Sequence, residues 1–250
     1  MTDRVRKPSA MQRLRRRVAE RDEAEVIAFE RRVLAGATAS IPVALLLWSV
    51  AVGTDFWFHV TPESGSPIYV NKTDSFFVRS YSGLWTICKF LYLNGSMQGA
   101  PIKTCHNHRL FPSEDFIQKN PEVDRTILDY TRTESAFAII SFCMMTMSFC
   151  FSLYTFKETR YMFKRLAAGV HFIGAACVLV VVEVVVNSVE YEERFLTDRH
   201  PKGATWSYGY SFFLACLSGV IMALCGITFL LCSKKRKGVL GADEPNILGR

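Results

Sequence analysis

The chain has 250 residues, half of them hydrophobic, and a formal net charge of +7 at pH 7. The apolar residues gather in four stretches, approximately 33–53, 136–156, 166–186 and 208–232. Each meets the ~20 apolar residues needed to cross a hydrocarbon layer, which excludes a soluble globular domain.

None of the four stretches contains Lys or Arg, and their only acid is Glu183. The positive charge lies between and beyond them. It crowds the amino terminus (Arg4, Arg6, Lys7, Arg13, Arg15, Arg16, Arg17), the short link Lys157–Arg165, and the run Lys234, Lys235, Arg236 and Lys237. Four spans put all three clusters on one side. Basic flanks stay in the cytoplasm, so both termini are predicted to be cytosolic, with Lys234–Lys237 at the anionic inner leaflet. The membrane accounts for the charge, and no nucleic-acid partner is expected.

In chain order, residues 1–32 form a basic cytosolic segment with no apolar core, so the first span is expected to act as an uncleaved signal-anchor. Met11, Leu14, Val18 and Ala19 share one helical face, consistent with a weak amphipathic helix at the inner leaflet or with a mobile tail drawn to anionic lipid. Glu20–Arg32 mixes both signs and suits helix continuation through i,i+4 pairs. Span one opens on Ala35-Gly36 and Ala39-Ser40, small residues spaced for close helix contact, and then meets Pro42.

The first outer loop, 54–135, is too long to be structureless. Its β-rich runs, Phe56–Val60 and Phe76–Cys88, are separated by Pro, Gly, Asn and Ser clusters, which predicts a small antiparallel sheet on the outer mouth of the bundle. In the second run Phe76, Val78 and Ser80 alternate with Phe77, Arg79 and Tyr81, as in a strand covered on one face. Of eight cysteines, Cys88 and Cys105 alone fall in this oxidising loop, leaving one intramolecular pairing. The ring closed would be about 17 residues and the stabilisation roughly 3 kcal/mol. Both glycosylation sequons, at Asn71 and Asn94, lie in the same loop. Asn120-Pro121-Glu122 then carries the residues of a helix start leading towards span two.

Span three holds His171 and Glu183, about 18 Å apart along a helix and so unable to share a proton or a metal. Glu183 is about a turn below the outer boundary, which suits a structural or partner contact. The second outer loop, 187–207, is short. Trp206–Ser211 is expected to open span four with interfacial aromatics, including Tyr208 and Tyr210. Ala215, Gly219 and Ala223 recur every four residues and leave a groove for another helix, internal or foreign. The cytosolic tail is 233–250.

Catalysis finds no support, since no Ser/His/Asp set falls within one compartment at a usable spacing. Cys105-His106-Asn107-His108 suggests a metal site only superficially. With Cys105 in a disulfide, His106 and His108 supply just two ligands. No metal, cofactor or small-molecule substrate is expected, and the spans lack the mid-membrane polar groups of a transporter.

The pattern Trp57…Gly83-Leu84-Trp85…Cys88…Cys105 resembles the first extracellular segment of the claudin superfamily of four-span membrane proteins. Val182-Glu183-Val-Val-Val-Asn-Ser-Val189 and Tyr208-Gly-Tyr210-Ser-Phe212 look most like the calcium-channel gamma subunits and the stargazin-like AMPA-receptor regulatory proteins. The resemblance covers about residues 33–235. It implies a membrane α-helical, claudin-like fold: a four-helix transmembrane bundle over residues 33–232 carrying a small extracellular antiparallel β-sheet. It also implies an auxiliary subunit in the plasma membrane. Such a subunit packs laterally against a pore-forming ion-channel subunit, of a voltage-gated calcium channel or an ionotropic glutamate receptor, and modulates gating and trafficking. The alternative within the same superfamily is a claudin-like adhesion or barrier protein. Arg250 is not the apolar terminus that PDZ pockets take, which argues against a scaffold-anchored role.

Overall fold

A computed structural model of the chain describes residues 10–71, 74–93, 97, 99–119, 124–158, 160–196 and 200–233. Asn94, the stretch Asn120–Glu122, and Lys234, Lys235, Arg236 and Lys237 lie outside the described residues.

The first element, α1, is one helix over Ala10–Gly53 of 44 residues, about 66 Å at 1.5 Å per residue. No Gly or Pro interrupts residues 10–35, and the run's mixed charges suit i,i+4 pairing. From Ala10 onward the basic segment is helical and continuous with span one. It prolongs span one, with Met11 and Val18 exposed.

After α1 come strands β1 (Phe58–Pro62), β2 (Ile68–Val70), β3 (Ser75–Ser82), β4 (Thr86–Tyr92) and β5 (Ile102–Asn107), then a short helix α2 (Glu114–Lys119). Helices α3 (Arg125–Lys157) and α4 (Tyr161–Phe195), strand β6 (Ala204–Tyr208) and helix α5 (Tyr210–Leu231) follow. Among the described residues four helical segments, Ala24–Gly53, α3, α4 and α5, are long and apolar enough to cross a membrane. The sheet is antiparallel, in the order β5-β4-β3-β1-β6, with β2 on β3.

Two local expectations are corrected. The run Phe76–Cys88 is not one strand but two, folded back at Gly83-Leu84-Trp85, with the Gly83 amide donating to the Thr86 carbonyl at 2.9 Å. Its alternation also slips phase. Ser75 and Phe77 point inward, then Ser80 and Ser82, because a bulge between Phe77 and Arg79 inserts one residue. Trp206 and Tyr208 belong to β6, which pairs with β1 through Val60–Trp206 and Phe58–Tyr208, so the sheet draws on both outer loops and α5 starts only at Tyr210. Helix α3 is capped by Asp124, whose carboxylate accepts the Thr126 amide at 2.7 Å.

The bundle is closed by small residues. Along α3 the buried face reads Ser135, Ala138, Ser141, Met145, Ser148 and Ser152, spaced by three or four. Ser141 and Ser148 hydrogen-bond to carbonyls four residues back, so their hydroxyls are satisfied within their own helix and the backbones approach as if the residues were alanines.

Candidate functional site

The sheet meets the bundle at one joint, built from chain ends that need hydrogen-bond partners. A helix leaves its last carbonyls unpaired. At the end of α1, the Val50 carbonyl accepts the Thr54 hydroxyl at 2.7 Å, Ala51 accepts the Trp57 indole N–H at 2.8 Å, and Val52 accepts the Trp85 indole N–H at 2.9 Å. Trp57 is fully buried and meets Trp48 edge-on, with centroids 6.4 Å apart. The two tryptophans of the sequence pattern are thus the caps of span one.

The start of α5 has the complementary need for its amides. Gly209 donates to the Trp57 carbonyl at 2.8 Å and Ser211 to that of Phe56 at 3.1 Å. Thr54 and Ser211 join through their hydroxyls at 2.7 Å. Two glycines permit these approaches. A Cβ on Gly209 would run into the Phe56 carbonyl, and one on Gly83 would sit 2.6 Å from the Asp55 Cα. Leu84, next to Gly83, is buried. The function of Gly209 was missed in the sequence, although its place just before an apolar helical run was a signal.

Cys88 and Cys105 stand opposite each other in β4 and β5 and are joined by a disulfide. Asn71 is exposed after β2. Beneath the sheet, between α3 and α4, the structure collects three buried ionisable side chains, Glu134, Glu192 and His200. His200 Nδ1 lies 4.0 Å from Glu192 Oε2. Sequence reading gave no sign of this cluster, because the residues come from three separate segments. Nearby, Asp124 links α3 to α4 by accepting the Tyr191 hydroxyl at 3.0 Å. Desolvation pushes its carboxyl pKa upward, but the Thr126 amide and the Tyr191 hydroxyl outweigh this and hold it below the ordinary value.

The residues singled out on the spans divide. Gly219 faces α4, where a Cβ would lie 3.2 Å from Val178 Cγ1. Ala215 is fully buried and Ala223 half-buried, so the groove of α5 is filled from within the chain. Glu183 points out of the bundle, and its own carbonyl accepts the Asn187 side chain at 2.7 Å. Tyr208 stacks on Phe212, and Tyr210 stacks on Phe56, with centroids 4.1 and 5.2 Å apart. His171 is buried in the bundle, within 2.9 Å of the Ser152 hydroxyl, a packing position. Among the described residues no group of three His, Cys, Asp or Glu side chains is arranged to hold a metal ion.

The arrangement offers surfaces and a rigid joint. Comparison with known proteins points the same way. A family model described as PMP-22/EMP/MP20/Claudin tight junction matches residues 42–231. The voltage-dependent calcium channel gamma-1 subunit of Sus scrofa is 28% identical over 207 residues, covering 78% of this chain and 86% of that relative. The gamma-7 subunit of Homo sapiens is 25% identical over 193 residues, covering 77% of this chain and 66% of the relative. The gamma-3 subunit of Rattus norvegicus is 27% identical over 194 residues, with 74% and 56% covered.

Proposed function

The chain belongs to the PMP-22/EMP/MP20/Claudin family, and from that premise we propose that it is an auxiliary, gamma-type subunit of an ion channel, a voltage-gated calcium channel foremost. The observation that carries the proposal is the similarity to a calcium-channel gamma-1 subunit over 86% of that relative's length. The geometry supports lateral packing. The small residues of α3 and α5 are used inside the bundle. Large apolar side chains such as Leu46, Ile139, Leu179 and Phe213 face outward, where lipid or a pore-forming subunit would meet them. Glu183, outward on α4, is the polar contact within that apolar surface. Such a subunit shifts gating to the extent that it binds one channel state better than another.

In this reading the protein sits in the plasma membrane with the sheet outside and both termini in the cytosol. The Cys88–Cys105 bridge then lies in an oxidising compartment and Asn71 and Asn94 in reach of glycosylation. Lys234, Lys235, Arg236 and Lys237 meet anionic lipid at the inner leaflet. Co-expression with the pore-forming subunit of a voltage-dependent calcium channel tests the proposal. Co-purification in mild detergent together with altered currents is the expected result. Strand formation between transfected cells with no effect on any channel would assign the adhesion role instead, and a protease-accessible terminus on intact cells would overturn the topology.

A further inference from the structure

The outer face of the sheet carries an unbroken ladder of rings that starts at the bundle. Tyr210, in the first turn of α5, stacks on Phe56 with centroids 5.2 Å apart, Phe56 on Tyr81 at 4.7 Å, and Tyr81 meets Phe90 at 5.9 Å. Over its last two rings the ladder holds two cations. The Arg79 guanidinium lies 4.4 Å from the centre of the Phe90 ring, and the Lys103 ammonium 5.3 Å from that of Tyr81. The strand register makes this a single surface, with Arg79 opposite Phe90 and Phe90 opposite Lys103. The disulfide two residues away locks β4 to β5 and so fixes Phe90 against Lys103.

Phe56 and Tyr210 remain 40% and 49% exposed, too much for rings that serve the core. Both cations are exposed as well. Their charge is uncompensated: among the described residues Arg125, Arg132 and Arg194 each meet a carboxylate within 3.5 Å, whereas Arg79 and Lys103 meet only rings. Rings held rigid, with donors aimed outward at one end, match a peptide that presents acidic side chains beside apolar ones.

We propose that the Phe56–Tyr81–Phe90 ladder with Arg79 and Lys103 docks an acidic extracellular segment of the pore-forming subunit, an inference that rests on the auxiliary-subunit reading. A peptide is favoured over a lipid headgroup by position. The cations stand on the half of the ladder away from the helices, with Arg79 two residues, roughly 7 Å, before Tyr81 in β3 and so farther from the joint at Ser82. Headgroups lie beside Tyr210, at the opposite end.

Two probes test it on the full-length chain. The first is capture of a co-expressed pore-forming voltage-dependent calcium channel subunit; the second is labelled poly-glutamate added to intact cells, which reaches outward-facing groups alone. Arg79→Glu with Lys103→Glu is expected to weaken both by roughly tenfold. Arg79→Gln with Lys103→Gln should give a smaller loss, and both wild-type signals should fall as salt is raised. Normal surface delivery of the glutamine pair certifies its fold. Unchanged binding of both probes by the glutamate pair overturns the docking surface. So does channel capture that requires anionic lipid in the reconstituted bilayer, which assigns the cations to headgroups. Poly-glutamate binding without channel capture by the wild type would defeat the auxiliary-subunit reading and leave the chemistry of the ladder standing.

Discussion

The bundle and the joint beneath the sheet are held by different kinds of contact. In the bundle, α3, α4 and α5 touch along seams of Ser, Ala and Gly, and each contact is a small increment shared among many neighbours. At the joint, single groups have single tasks: two indoles cap α1, two carbonyls receive the amides that open α5, and two glycines leave the space for both. A distributed interface yields gradually to substitution. A joint made of unique hydrogen bonds and close backbone approaches does not, because no neighbour can replace a lost donor or absorb an added carbon.

The largest effect is therefore expected at Gly209. Gly209→Val forces a side chain into the Phe56 carbonyl and separates α5 from the chain leaving α1, costing roughly 3–4 kcal/mol. It should abolish surface delivery and a monodisperse peak in detergent. A well-folded, surface-delivered valine variant would show that the joint is no more exacting than the bundle. Cys88→Ser comes next, at about 3 kcal/mol for a ring of this size, read as retention inside the cell. Cys105→Ser should match it, and normal trafficking of both would remove the bridge from the account.

Asp124→Ala removes the cap of α3 and the link to Tyr191, for about 1 kcal/mol in thermal unfolding. Its carboxyl pKa is depressed in the folded state, so its contribution is complete above the ordinary value of 3.8 and is lost as pH falls through the lower folded value. The variant and the wild type should therefore converge in stability at acid pH and differ at neutral pH. The smallest effect belongs to the bundle. Gly219→Ala asks Val178 to move by a few tenths of an ångström and should cost less than about 1 kcal/mol. A loss as large as that at Gly209 would erase the contrast between the two regions.

Much of this was legible in the chain. Length and apolarity fixed four spans because the hydrocarbon layer demands them. Two cysteines in one loop left a single bridge to form there, and the structure holds it. Trp57, Gly83 and Trp85 stood out as a pattern, yet their task did not, since capping Ala51 and Val52 requires knowing where α1 stops. The turn at Gly83 and the bulge after Phe77 were hidden inside a run of good strand formers. The alternation signal carries no mark of a reversal when both arms are β-rich. The buried Glu134, Glu192 and His200 were invisible for a different reason. They lie in α3, α4 and the following loop, far apart in sequence, and each taken singly reads as a solvated surface residue.

What the sequence determined by itself is what a local property can determine: which segments prefer lipid and which loop must fold. What the tertiary structure decided is how ends find partners. Strand β6 crosses from the second loop to complete a sheet begun in the first, and the opening amides of α5 are satisfied by the carbonyls of one short stretch, Phe56-Trp57. Those pairings join groups some 150 residues apart. The physical reason is that a backbone hydrogen bond has no residue-type preference, so the composition of a segment cannot say which distant carbonyl its amide will meet.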